Sequence, residues 1–312
     1  MISWGSLPKS VNIYEVGLRD GLQNEARSVP TQEKVRVGQA LLAAGIRRLE
    51  VTSFVPPRWI PQLSDAEGVA KHFVASPDAS ISALVPNLYG LERARASAVR
   101  DIAVFLSASE SHSKKNINKS IAEATATVGE VARAALAEGF RVRGYISVAW
   151  GCPFEGAVPV TRVVELVQRM RDFGLYEISL GDTIGVGTPK QTSELLSEVL
   201  KQRPASGLAL HLHDTRGTAL ANVLVGLLMG ITTFDTSIGG LGGCPYAPGA
   251  AGNLPTEDLV YMLHGMGVST GIDLPKLVQA GEIAQDVIGR RLPGKYLQAA
   301  LGERDRAARK KS

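Results

Sequence analysis

The chain contains few cysteine and aromatic residues, and this excludes several classes of protein. Only two of its 312 residues are cysteine, Cys152 and Cys244, and aromatic residues make up 5%. Two thiols exclude a disulfide framework and a four-cysteine zinc site, and they fit a reducing compartment. So few aromatic side chains argue against a surface that stacks nucleic-acid bases. The longest apolar run, 219–231, is too short and too interrupted to span a bilayer.

An excess of charge is also lacking. There are 34 basic and 30 acidic residues, which gives a formal net charge of +4, and that excess lies in the C-terminal run 304–312. We interpret this run as a solvated, frayed terminus, so we expect neither nucleic acid nor a membrane surface as a partner. The first ten residues lack the long apolar segment of a secretory signal, and the expected location is cytoplasmic.

One pattern recurs along the chain: a helical stretch, a glycine and then an apolar or β-branched strand. Glycine just past a helix end adopts left-handed backbone cheaply, and apolar strands suit a parallel sheet that is covered on both faces. The glycines of this pattern are Gly45, Gly139, Gly174 and Gly230. It predicts strands near 11–16, 47–52, 80–85, 101–106, 142–148, 175–180, 208–213 and 232–236. It predicts helices near 31–44, 62–74, 88–98, 120–138, 159–172, 189–201, 217–229, 255–265 and 273–288.

Eight strands that alternate with eight helices over about 250 residues predict an α/β fold, a (β/α)8 TIM barrel. We expect a single catalytic domain over 1–312, with the barrel at about 11–265, a helical extension at about 266–295 and the basic tail at 304–312. The alternative is a doubly wound open sheet. It would usually carry Gly-x-Gly-x-x-Gly after the first strand, and the run from Val16 to Gly21 does not match that motif.

The seventh predicted strand carries a His-x-His motif. Alternate side chains of a strand share a face, so His211 and His213 point the same way, about 7 Å apart along the strand. At that spacing both can reach one metal ion. In such barrels the chemistry gathers at the C-terminal ends of the strands, where Asp20 also lies. One carboxylate and two imidazoles suit Mg²⁺, Mn²⁺ or Fe²⁺ better than a structural zinc ion.

Other polar residues at the strand ends suggest further roles. The planar donors of Arg19 can hold an oxygen on which negative charge develops. Cys244 lies in the glycine-rich segment 239–253, and we interpret it as a reactive thiol carried by a mobile loop. Cys152 is expected to be structural. Asp182 has two interpretations, as the cap of the next turn or as a site residue.

Six motifs spread along the chain are similar to those of one known family. They are Glu15-Val-Gly-Leu-Arg-Asp-Gly-Leu-Gln-Asn-Glu25, Thr52-Ser-Phe-Val55, Lys114-Lys-Asn-Ile-Asn118, the run from Tyr176 to Thr188, His211-Leu-His-Asp-Thr215, and the loop Gly239–Asn253 with Thr256-Glu-Asp-Leu259. From about Val11 to Leu292 the chain resembles the 3-hydroxy-3-methylglutaryl-CoA lyases, metal-dependent TIM-barrel enzymes. The Arg-Asp and His-x-His motifs indicate only the superfamily, whereas the Gly-Gly-Cys-Pro-Tyr-Ala loop is far more specific.

The resemblance implies a role for each matching residue. The implied ligands of Mg²⁺ or Mn²⁺ are Asp20, His211, His213 and Asn253. The implied catalytic groups are Arg19, Cys244, His211, Asp20, Glu50 and Asp182. The implied substrate contacts are Arg19, Gln23, Asn116 and Ser179, and Glu257 supports the site.

The implied reaction splits 3-hydroxy-3-methylglutaryl-CoA into acetyl-CoA and acetoacetate, as in leucine degradation and ketone-body formation, in a homodimeric enzyme. A divalent ion lowers the pKa of the substrate hydroxyl, and a base removes its proton. His211 and Asp20 are both candidates for the base. Arg19 would face the enolate oxygen. The enolate carbon would then be protonated by Cys244 or by a proton relayed from a histidine.

Three residues depart from the family pattern. Trp150 stands where leucine is usual, Arg216 where tyrosine is expected, and Tyr89 where lysine is common. The first two follow strand ends and could reshape an acyl pocket, which leaves a related substrate such as citramalyl-CoA open. Two further alternatives are a condensing acyl-CoA synthase of the same superfamily and a barrel that binds acyl-CoA or metal without catalysis.

Overall fold

A computed structural model describes residues 7–243 and 252–310 of the protein. Eight parallel strands close into a barrel in chain order, and the last strand pairs with the first. The strands are β1 (Asn12–Glu15), β2 (Arg48–Ser53), β3 (Ser80–Leu84), β4 (Asp101–Ser107), β5 (Arg141–Ser147), β6 (Glu177–Asp182), β7 (Leu208–Leu212) and β8 (Thr233–Thr236). The predicted (β/α)8 barrel is therefore confirmed. The open-sheet alternative is wrong, because β1 has a strand partner on both sides.

Helices cover the outside of the barrel. They are α1 (Thr31–Ala43), α2 (Ala66–Phe73), α3 (Leu88–Ala96), α4 (Glu110–Ile117), α5 (Ile121–Ala137), α6 (Val160–Asp172), α7 (Pro189–Val199), α8 (Ala219–Leu228), α9 (Thr256–Gly265), α10 (Leu274–Ile288) and α11 (Lys295–Arg309). Nine of these were predicted, and the four glycines that follow helix ends all have positive φ, from 78° to 106°. Within the described residues no helix has the length and apolar character needed to cross a membrane.

Two helices, α4 and α11, were not predicted. Helix α4 begins after Ser109, whose hydroxyl accepts a hydrogen bond from the backbone N–H of His112. Helix α11 includes most of the basic run that we expected to be frayed. Residues 304–309 are exposed, as a solvated terminus should be, but they are not frayed, because they complete the helix and Arg304 forms an ion pair with Glu282 of α10.

The barrel interior contains polar side chains in the amino-terminal and middle parts of the strands as well. Tyr14 of β1 and Ser82 of β3 share a hydrogen bond of 2.6 Å. Arg143 of β5 reaches Glu177 of β6 and Asp235 of β8, both at 2.6 Å. The apolar strand residues that alternate with these pack against the helices, as in a sheet buried on both faces. The alternation therefore aims every second side chain at the centre of the barrel, and several of these side chains are polar.

We predict that Gly45→Ala destabilises the fold more than Gly139→Ala, although both glycines follow helix ends. Gly45 has φ of 106°, and a Cβ there would lie 2.6 Å from the carbonyl oxygen of Gly271, whereas a Cβ at Gly139 would meet no described atom within 4 Å. Backbone strain alone should cost about 1–2 kcal/mol in Gly139→Ala. The added clash should raise the loss to about 3 kcal/mol or more in Gly45→Ala, measured by urea unfolding. Equal losses would contradict this account.

Candidate functional site

Three potential metal ligands meet at the C-terminal end of the barrel. His211 lies at the end of β7 and His213 just beyond it, and their Nε2 atoms are 3.3 Å apart. Oδ2 of Asp20 lies 3.9 Å from Nε2 of His211 and 4.0 Å from Nε2 of His213. Both histidines are buried. The two imidazoles thus present the same nitrogen to one carboxylate, which is the arrangement that the His-x-His spacing predicted.

Asn253 completes this group as the chain returns from the glycine-rich segment. Its amide Nδ2 donates to Oδ2 of Asp20 at 2.8 Å and to the carbonyl of Leu241 at 3.1 Å, while its buried Oδ1 has no hydrogen-bond partner among the described residues. An unsatisfied buried oxygen beside a carboxylate and two imidazoles fits a divalent cation. Gly242 has φ of 119°, and a Cβ there would come within 2.6 Å of Nδ2 of Asn253. Glycine is therefore required where the loop stem passes the amide.

Arg19 lies beside the ligand group on a short π-helical turn, Gly17–Gly21, directly after β1. Its Nη1 donates to Oδ1 of Asp20 at 2.5 Å and its Nε to Oε2 of Glu50 at 2.6 Å. Burial disfavours its charge, but the carboxylates of Glu50 and Asp20 outweigh burial and hold the pKa of Arg19 above its usual range. Two fixed anions therefore orient a permanent cation, with the remaining donors of its guanidinium available to a ligand.

The sequence analysis missed Tyr145, near the end of β5. Its hydroxyl donates to Oε2 of Glu50 at 3.1 Å, and its ring lies edge-on to the ring of His211 at a centroid distance of 5.9 Å. The guanidinium carbon of Arg19 is 5.3 Å from the centre of the Tyr145 ring. A tyrosine two residues from the end of a barrel strand was the available signal, but only the register of β5 shows that it reaches Glu50.

A cavity of about 350 Å³ opens above these residues. Its polar floor includes Arg19, Asp20, His211, His213 and Tyr145. Gln23 and Asn116, both predicted to contact substrate, line its wall, as do apolar residues such as Val55, Leu84, Phe105 and Ile117. A polar floor beneath an apolar wall suits a small polar group attached to a longer, less polar chain.

The structure places the remaining predicted residues around the cavity rather than in its lining. Ser179 donates its hydroxyl to Asp235 at 2.8 Å. Asp182 accepts hydrogen bonds from the backbone N–H groups of Val186 and Gly187, so of its two interpretations the observed contacts are those of a turn cap. Glu257 accepts from the N–H of Gly239, at the start of the glycine-rich segment.

The structure describes one of the two cysteines, Cys152. Cys152 is buried, and its Sγ lies 2.9 Å from the hydroxyl of Ser109, which agrees with the structural role expected for it. Cys244 lies outside the described residues. The first described range ends at Gly243, which lines the cavity. The carbonyl of Gly243 accepts a hydrogen bond of 2.8 Å from the side chain of Asn24.

Two of the residues that depart from the family pattern lie outside the lining of the cavity. Trp150 is buried against Gly187, where a Cβ would approach its ring to 2.9 Å. Arg216 donates to the carbonyls of Ile184 and Gly185 at 2.9 and 3.0 Å. Both side chains therefore support the turn after β6.

The protonation of the ligand group favours cation binding. Burial opposes the charge of Asp20, but Arg19 and the two histidines outweigh it and hold the pKa of Asp20 well below its usual range. Burial lowers the pKa of His213 to about 4, with His211 acting in the same direction. At neutral pH the group therefore offers an ionised carboxylate and an unprotonated imidazole, the forms that bind metal.

Comparisons with known proteins agree with this geometry. The family model described as HMGL-like matches residues 10–284. Mitochondrial hydroxymethylglutaryl-CoA lyase of Bos taurus is 48% identical over 95% of this chain and 91% of its own length. The crystal structure of hydroxymethylglutaryl-CoA lyase from Pseudomonas aeruginosa superposes with a TM-score of 0.93 at 44% identity, covering 96% of this chain and 99% of that one. An HMG-CoA lyase from Acinetobacter baumannii, solved with coenzyme A and 3-methylmalate, gives a TM-score of 0.89 at 37% identity over 96% and 97% of the two chains.

Two buried carboxyl groups hold the start of the glycine-rich segment, and their protonation should control stability. Glu15 accepts hydrogen bonds from the N–H of Ile238 and the hydroxyl of Thr256. Glu257 accepts a hydrogen bond from the N–H of the next residue, Gly239. Burial raises the pKa of Glu15 to about 7 and that of Glu257 to about 8. The folded protein therefore retains these protons at pH values where the unfolded chain has lost them, and their contribution to stability declines as the pH rises.

We predict that the free energy of unfolding of the metal-free protein falls between pH 6.5 and 8. Below pH 6.5 buried His213 and His112, whose pKa values burial lowers to about 4, act in the opposite direction. Above it the raised pKa values of Glu15 and Glu257 lower the stability, and Glu257 should account for about 1–2 kcal/mol of the fall. Urea unfolding in EDTA at several pH values would measure it. Glu257→Gln should flatten the profile, and an unchanged slope in that variant would contradict the assignment.

Proposed function

The chain belongs to the HMGL-like family, and we propose that it is a carbon–carbon lyase that cleaves 3-hydroxy-3-methylglutaryl-CoA into acetyl-CoA and acetoacetate. The observation that carries the proposal is the meeting of Asp20, His211 and His213 beside the fixed guanidinium of Arg19 in one cavity. This combination provides a cation site next to a group that stabilises a developing oxyanion, which a retro-Claisen cleavage needs.

The proposed cofactor is a divalent cation, Mg²⁺ or Mn²⁺, which Asp20, His211, His213 and Asn253 would hold. Two of these four side chains supply oxygen, and the described ligands lie beside the open cavity, which favours such ions over a closed structural zinc site. When bound, the cation lowers the pKa of a hydroxyl that it coordinates, so that a weak base is sufficient to remove the proton.

We assign the base to Asp20 rather than to His211. In the proposed site His211 holds the cation through Nε2, which faces the other ligands, so its neutral imidazole has no second basic nitrogen to accept a proton. A carboxylate has several acceptor positions, so Asp20 can hold a cation and still accept a proton. Its low pKa makes it a weak base, which matches a hydroxyl that has already been acidified.

Arg19 and Cys244 take the roles that follow bond cleavage. Arg19, held in place by Glu50 and Asp20, presents its remaining donors to the enolate oxygen of the acetyl-CoA fragment. We place Cys244 as the group that completes the site because the sequence joins it directly to Gly243, which lines the cavity. Gln23 and Asn116 on the wall are the proposed contacts of the acyl-CoA, and Glu50 and Glu257 support the site through Arg19 and Gly239.

The wider setting is also part of the proposal. The single buried thiol of the described residues, Cys152, fits a reducing compartment, and we propose a cytoplasmic enzyme, although the Bos taurus relative is mitochondrial by name. We propose a homodimer and a role in leucine degradation by analogy with the family. No described contact favours a condensing synthase or a non-catalytic barrel over the lyase.

We predict that cleavage requires the cation and Asp20. The measurement is release of acetyl-CoA from 3-hydroxy-3-methylglutaryl-CoA, with Mg²⁺ and then with EDTA. Asp20→Asn and His211→Ala should each lose more than about 100-fold in rate, since several kcal/mol of charge stabilisation disappear. Asp286→Asn, the same substitution on an exposed face of α10, is the matched control and should keep full activity. Substantial turnover by Asp20→Asn would remove the site assignment.

We predict that Trp150→Leu and Arg216→Tyr leave the choice of substrate unchanged. Neither side chain lines the cavity, so the ratio of kcat/KM for 3-hydroxy-3-methylglutaryl-CoA and citramalyl-CoA should shift by less than about threefold, below the effect of one methylene in a pocket. The same assay with both substrates measures the ratio. A larger shift in either variant would mean that the turn after β6 shapes the acyl pocket. Gln23→Ala, which alters the lining itself, is the positive control.

A further inference from the structure

One buried carboxylate next to the ligand group has no role in the function proposed above. Asp235 of β8 is in register with His211 of β7 on the neighbouring strand. Its Oδ2 lies 3.3 Å from Nδ1 of His211, on the side of the ring away from the ligand group. Among the described residues this nitrogen makes no hydrogen bond of standard geometry, and the carboxylate of Asp235 is the acceptor that it faces. Asp235 therefore faces the ring nitrogen Nδ1, and a carboxylate at that position favours the tautomer of His211 that carries its proton there.

Three donors hold Asp235 in place. Arg143 donates from Nη2 to Oδ1 at 2.6 Å and from Nη1 to Oδ2 at 3.2 Å, and the hydroxyl of Ser179 donates to Oδ2 at 2.8 Å. Arg143 is itself fully buried and is fixed from the other side by Glu177, to which its Nε donates at 2.6 Å. A bidentate pair with arginine sets the plane of the carboxylate as well as its position.

We infer that Asp235 is a positioning residue that holds His211 in the tautomer and ring orientation required for metal binding, and that Arg143 and Ser179 fix Asp235 for this purpose. A histidine that binds metal through Nε2 must carry its proton on Nδ1, and the acceptor of that proton sets the direction of the ring. The inference rests on the proposed metal site, because it assigns how one of the ligands is prepared.

Neither Nδ1 atom of the two histidines makes a hydrogen bond of standard geometry, but that of His211 faces a carboxylate at 3.3 Å. Nδ1 of His213 is buried and has no hydrogen-bond partner among the described residues. With the proton of His211 on Nδ1, the 3.3 Å contact between the two Nε2 atoms needs His213 to donate from Nε2. In the metal-free protein His211 is then already in its binding tautomer, and His213 must move its proton before it binds. His211 is thus the prepared ligand of the pair.

The test compares two neutralising substitutions of the carboxylates that flank Arg143. Asp235→Asn removes the anion that faces His211, whereas Glu177→Gln, the matched control, removes the anion on the other side of Arg143, on the strand that precedes β7. Mn²⁺ affinity of the full-length metal-free protein is measured by titration calorimetry. Asp235→Asn should weaken Mn²⁺ binding about 10- to 100-fold, as loss of an outer hydrogen-bond partner does. Glu177→Gln should change it less than about threefold, although both variants lose stability.

A second readout needs no substitution and separates positioning from general destabilisation. In the wild-type metal-free protein with ¹⁵N-labelled histidine, nuclear magnetic resonance should show His211 protonated at Nδ1 and His213 protonated at Nε2, with His211→Ala identifying the signals. The opposite tautomer of His211 would overturn the inference, as would equal losses of Mn²⁺ affinity in Asp235→Asn and Glu177→Gln. If the wild-type protein bound no Mn²⁺, or if His211→Ala bound it as tightly, the proposed metal site would fail instead.

Discussion

The arrangement of the site depends on one buried charge, the guanidinium of Arg143. No part of this side chain is exposed, and a cation in such a position is tolerated only if anions surround it. Glu177 and Asp235 come from the strands on either side of β7, so neutralising Arg143 ties β5, β6 and β8 together inside the barrel. Of these strands β6 and β8 flank β7, which carries His211. One buried cation therefore joins the two neighbours of that strand, and on the β8 side its partner is the carboxylate that faces His211.

The same alternation of charge continues to the other side of the barrel. Beyond His211 the next anion is Asp20, the next cation is Arg19, and the last anion is Glu50 of β2. Four buried atoms of this network have no hydrogen-bond partner among the described residues: Oε1 of Glu50, Oδ1 of Asn253 and the Nδ1 atoms of His211 and His213. Unsatisfied polar atoms are costly in a low-dielectric interior, and here the orphaned amide oxygen belongs to an implied metal ligand. A cation at this point would complete the network rather than disturb it.

The parts of this arrangement that could be predicted from the sequence are those set by local periodicity. Alternation along a strand placed His211 and His213 on one face, and the barrel pattern put Asp20 at the same end. Tyr145 and Asp235 could not be predicted, because each acts through a partner on another strand. The register between two strands cannot be derived from the sequence of either strand alone. Helix α4 was missed because its cap, Ser109, lies in a connection that the repeating pattern treats as a loop. Cys244, assigned from its motif, lies outside the described residues.

Both described ends of the glycine-rich segment are held by buried polar side chains. On one side the segment leaves β8 at Ile238 and Gly239, whose N–H groups are held by Glu15 and Glu257. On the other side it returns at Asn253, whose amide donates to Asp20. The segment thus departs from a buried acidic pair and returns onto a proposed ligand. The same amide also donates to the carbonyl of Leu241, so any change at the ligand group that turns the amide of Asn253 acts directly on the described stem of the segment.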